Sequence, residues 1–80
     1  MGKVLSARTI AERGLRIYQK KLKSQLEKAH QGEIVAINVL TRDYVLGPTP
    51  GQAGKAFQRK FPSQPSCLLR VGDLAVWIKS

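Results

Sequence analysis

Eighty residues carry fourteen lysines and arginines against five acids, for a formal net charge of +9 and a pI of about 10.3. A chain this short makes one small domain, residues 1–80, that buries only about 60% of its unfolded surface and sits near the stability margin. No run reaches the ~20 apolar residues that span a bilayer. The N-terminus lacks an apolar signal core, and Cys67 has no internal disulfide partner, so a cytoplasmic, reducing setting is expected.

Residues 1–8 read as a flexible N-terminus. Thr9 and Glu12 then form a T-x-x-E capping box that opens a helix. Ala11, Leu15, Tyr18, Leu22, Leu26 and Ala29 follow helical spacing and predict its apolar face. Between Lys3 and Lys28 stand eight basic residues and only two acids, Glu12 and Glu27. Arg13, Arg16, Lys20 and Lys23 recur at three- and four-residue steps, which sets them in one solvent-facing stripe. Ile17 falls on this polar side and marks a partner contact or a contact with a second copy. Gly14 weakens the helix by about 1 kcal/mol relative to alanine, a sign of close packing. Gly32 is a stop signal.

Glu33 to Leu40 is rich in β-branched residues and predicts a strand with apolar side chains on both faces. Thr41, Arg42 and Asp43 form a turn into a short second strand, Tyr44 to Gly47, which gives an antiparallel hairpin. Thr49 as N-cap, Pro50 at the first helical position and Gln52 open a second helix. Ala53, Ala56, Phe57 and Phe61 face inward, Lys55, Arg59 and Lys60 outward, and Pro62 stops the helix. Cys67 to Val71 predicts a third strand, Gly72 and Asp73 a turn, and Leu74 to Lys79 a fourth strand or a tail that pairs with another copy. The fold expected is α+β in the order α-β-β-α-β-β: an antiparallel sheet of three or four strands with both helices on one face.

Gly32-Glu33-Ile34-Val35-Ala36-Ile37, Asp43-Tyr44-Val45-Leu46-Gly47, Thr49, Ala53, Ala56, Phe61-Pro62 and Leu69-Arg70-Val71-Gly72 together resemble a small prokaryotic family of unknown function. The resemblance covers about half the chain. It implies a hairpin, a helix and a strand behind an N-terminal helix, and an accessory role, antitoxin-like or partner-regulating. It supplies no catalytic residue. Asn38 departs from the acidic residue that the pattern often carries there, and the basic first helix is not part of the pattern.

Chemistry-bearing constellations are sparse. His30 and Cys67 are single and far apart, whereas a metal site needs several converging ligands. A Cys67–His30 nucleophile pair lacks an orienting third group. The glycines at 47, 51 and 54 before Lys55 evoke a phosphate loop, but Ala56 replaces its Ser or Thr, and Pro48 and Pro50 interrupt it. No cofactor is implied. Tyr18, Tyr44, Arg42 and Arg70 suit a metal-independent endoribonuclease only if the fold converges them.

The reading with most physical support is a non-enzymatic, accessory or regulatory protein that binds a polyanion, nucleic acid through its phosphates. Arg13, Arg16, Lys20 and Lys23 carry the site, and Lys55, Arg59 and Lys60 extend it. The alternative is a protein-interaction module for an acidic partner or a homodimer. Membrane binding is disfavoured, because the apolar helix face is needed for the core.

Overall fold

The computed structural model describes residues 6–79, and for residues 73–79 the backbone alone. A long N-terminal helix runs as α1 (Ala7–Ile17), a π-helical turn (Tyr18–Leu22) and α2 (Lys23–Ala29). Strands β1 (Ile34–Asn38) and β2 (Tyr44–Gly47), helix α3 (Pro50–Lys60), and strands β3 (Ser66–Arg70) and β4 (Asp73–Lys79) follow. The sheet order is β2-β1-β3-β4, with every neighbouring pair antiparallel. β4 pairs with β3 of its own chain; the side chain of Trp77 lies outside the described residues.

The helix begins earlier than its sequence suggests. Ser6 is the N-cap, and its hydroxyl accepts from the Thr9 amide at 3.2 Å. Residues 7 and 8 are therefore helical, not a flexible lead; residues 1–5 lie outside the described residues. Glu12 serves not as a capping-box partner but as the ion-pair partner of Arg8 at 3.6 Å, both exposed, an arrangement worth under about 1 kcal/mol. The helix closes at the His30 C-cap, and Gly32, two residues on at φ 86°, takes the left-handed conformation and donates its amide to the Val71 carbonyl at 2.9 Å.

The two helices lie on opposite faces of the sheet, not on one. Ile10, Tyr18, Leu22 and Leu26 pack with Val35, Ile37, Val39, Cys67, Leu69 and Val71. Ala53, Phe57 and Phe61 pack with Ile34, Ala36 and Leu68. Two constraints impose this. β1 is buried along its whole length, so both of its faces need cover. β2 and β3 flank β1 on either side, and the connection between them lays α3 across one face. The N-terminal helix takes the other.

The buried positions of that helix are Ile10, Gly14, Tyr18, Leu22 and Leu26, a strict four-residue repeat. An α-helix advances about 40° for every four residues, so these five positions would drift by about 160° around the axis. The π-turn corrects this. Its Lys23 amide donates to the Tyr18 carbonyl, an i→i+5 bond that takes in one extra residue and returns about 100°. Tyr18 then fixes the far end. Its buried hydroxyl donates to Glu27 Oε2 at 2.8 Å and accepts from the Gly72 amide at 3.2 Å.

Gly14 is where the helix meets the sheet. A Cβ there would collide with Cys67 Sγ, and Cys67 is itself fully buried. Gly14→Ala should therefore destabilise the protein by a net of about 1–2 kcal/mol, because an overpacking cost of about 2–3 kcal/mol at so close an approach exceeds alanine's propensity gain of about 1 kcal/mol. Thermal unfolding would register it as a fall in Tm of about 4 °C or more.

Burial also pushes the Cys67 thiol up to about 11. An unfolded thiol ionises near pH 8.5–9, so between there and pH 11 the folded state holds a proton that the unfolded state has released. Stability is full below that window and falls as pH rises through it, by at most about 1.4 kcal/mol per pH unit. Tyr18, raised mainly by its burial, adds to the alkaline loss. Urea unfolding at pH 8, 9 and 10 should show a shallower decline for Cys67→Ala than for the unaltered chain.

Candidate functional site

Five cations converge on one groove. Arg13, Arg16, Lys20 and Lys21 from the N-terminal helix and Arg42 from the β1–β2 turn line a recess of about 440 Å³. Ile17, Val39 and Leu40 supply its apolar surface, and among the described residues no acidic side chain lines it. All five cationic residues are exposed. Ile17 is half-buried against the core, and Leu40 is 55% exposed, the one large hydrophobic residue so open among those described.

The hairpin wall is built on a buried amide. Asn38 is fully buried at the end of β1. Its Oδ1 accepts from the amides of Leu40 at 2.9 Å and Thr41 at 3.2 Å, and its Nδ2 donates to Gln64 Oε1 at 2.7 Å. Its carbonyl accepts from the Arg42 amide at 2.7 Å, and its amide donates to the Asp43 carbonyl at 2.8 Å. The side-chain oxygen, the carbonyl and the amide of Asn38 thus hold the turn that presents Leu40 and Arg42, while Nδ2 ties the end of the strand to the loop after α3. A neutral amide suits this place, because it both donates and accepts. Arg42 itself sits at φ 71°, a conformation that costs a non-glycine residue about 1–2 kcal/mol.

The structure gathers the sequence-predicted residues unequally. Arg13, Arg16 and Lys20 line the groove with Ile17, whereas Lys23 does not, and Lys21 stands in its place. The π-turn explains the exchange. On a regular helix, Lys21 would lie about 80° to one side of Arg13 and Lys23 about 80° to the other. Taking back about 100° swings Lys21 towards Arg13 and turns Lys23 to the opposite side. Lys55, Arg59 and Lys60 are exposed on α3, across the sheet from the groove, and do not extend it. Lys60 Nζ lies 5.5 Å from the centre of the Phe61 ring. Lys21 and Arg42 carried no periodic signal; only the β1–β2 turn beside a basic helix hinted at Arg42.

Other constellations separate. Of Tyr18, Tyr44, Arg42 and Arg70, only Arg42 lines the groove. The Tyr18 hydroxyl is tied to Glu27 and Gly72, the Tyr44 hydroxyl accepts from Gln25 Nε2 at 3.2 Å, and Arg70 donates to the Gly32 carbonyl at 3.3 Å. His30 pairs with Glu33 at 2.9 Å. No group of three or more metal-ligating side chains occurs among the described residues. At the start of α3, Thr49 Oγ1 takes the Gln52 amide and Pro50 has no N–H, which leaves little of a phosphate cradle. Among the described residues, no helix is long and apolar enough to cross a membrane.

Compared with family models, with curated proteins and with solved structures, the chain matches none of them.

Arg42→Gly should raise Tm by a few degrees by relieving the left-handed strain, while weakening retention on a heparin column. Lys21→Gln should weaken that retention more than Lys23→Gln, which reverses the order that a regular helix predicts.

Proposed function

We propose that the chain is a non-enzymatic, accessory or regulatory protein of the cytoplasm that binds nucleic acid through its phosphates in the helix–hairpin groove. The observation that carries this reading is the convergence of five cations from two separate elements on one recess with no acidic lining among the described residues. A solvated basic face scatters its charges over a convex surface. Here Arg42 is held in a strained conformation that brings a fifth cation to the other four. Bringing like charges together opposes folding, and a polyanion offsets that repulsion. The contacts go to phosphate, which every sequence shares, so affinity is high relative to sequence discrimination.

Fluorescence anisotropy of labelled oligonucleotides against salt tests this. If each of the five cations neutralises one phosphate, log affinity falls against log salt with a slope of about −4.5 on duplex DNA or about −3.5 on a single strand. Replacing Arg13, Arg16, Lys20, Lys21 and Arg42 by glutamine should flatten the slope nearly to zero. Replacing Lys55, Arg59 and Lys60 should leave most of it. Equal losses from the two sets would overturn the assignment to the groove. A co-purifying protein that survives nuclease, with no oligonucleotide binding, would replace nucleic acid with an acidic protein partner.

A further inference from the structure

Resting on that reading, we infer that the groove takes single-stranded nucleic acid in preference to duplex. The distinguishing observation is its mixed lining: the five cations share the recess with Ile17, Val39 and Leu40, of which Leu40 is the most exposed. A duplex turns only phosphates and sugars outward and keeps its base faces stacked. Seated here, it would press hydrated phosphates towards Leu40 and leave that exposed side chain without an apolar partner. A single strand has unstacked bases free to turn, so one can lie on these apolar side chains while the flanking phosphates reach cations from both elements.

Size and shape agree. A recess of about 440 Å³, open to solvent on one side, falls within the size range of small-ligand sites and has room for one splayed nucleotide. The cations come from two elements, four from the helix and Arg42 from the β1–β2 turn, so a backbone that bends between them satisfies both. A flexible strand does this with little strain, while a duplex resists bending over so short a span. The apolar side chains are aliphatic, so they reward any base face and predict little preference among the four bases.

The test compares a labelled 12-nucleotide oligouridine strand with a hairpin duplex of equal phosphate number, at one ionic strength, by anisotropy. The unaltered chain should bind the strand at least tenfold more tightly. Leu40→Ser, at an exposed position where the fold tolerates the change, should bring the strand-to-duplex ratio towards one. Leu40→Trp, which supplies a stacking platform, should raise strand affinity several-fold. Circular dichroism and Tm of both variants exclude misfolding as the cause. Equal or tighter duplex binding by the unaltered chain, or a ratio indifferent to both substitutions, would overturn the inference and leave phosphate binding standing. Failure of both ligands to bind would overturn the proposed function itself.

Discussion

One contact without a side chain governs the arrangement of this molecule. At Gly14 the N-terminal helix rests on Cys67 of the sheet with no room for a methyl group between them. That approach sets the height of the helix over its layer. Arg13 and Arg16 flank the contact in sequence, so the same approach sets how near they come to the β1–β2 turn. The groove is thus a by-product of close packing one residue away. Its cations are held by a helix anchored in the core, with Ile10 above the glycine and Tyr18, Leu22 and Leu26 below it.

The π-turn couples core and groove. A four-residue burial repeat cannot stay on one side of a regular helix, and the wide turn at Tyr18–Leu22 restores it. The correction moves every residue beyond the turn, so it also decides which lysine stands beside Arg16. Packing on the inner side and charge on the outer side are therefore not independent choices. On the other wall, Asn38 has the same double duty. It ends the central strand inside the core, and its amide shapes the turn that carries Leu40 and Arg42.

Much of the fold was legible in the residues. The α+β character, the hairpin at Tyr44–Gly47, the Thr49–Pro50 helix start and the exposure of Arg13, Arg16 and Lys20 all follow from local chemistry that acts within a few residues. The relation between the two helices did not follow, although the apolar run of β1 held the clue. A strand that is greasy on both sides needs two covers, and one layer of helices supplies only one. The switch from Lys23 to Lys21 is hidden from a uniform 3.6-residue period, which the π-turn breaks. The apolar positions Ile10, Gly14, Tyr18, Leu22 and Leu26 contradict that period on inspection, but the glycine among them disguises the repeat. Arg42 is not legible as a groove residue, because its role depends on where the turn lies in space, and no local pattern encodes that.

Cys67 sits beneath Gly14 with its sulfur covered by the helix. No reagent reaches that sulfur unless the helix lifts from the sheet or the chain unfolds. The protein therefore carries its own clock for exposure: the rate at which an alkylating agent marks the thiol counts openings of this seam together with complete unfolding. A ligand that spans helix and hairpin clamps the seam from the outside, and slower marking would report its arrival without any label on the ligand.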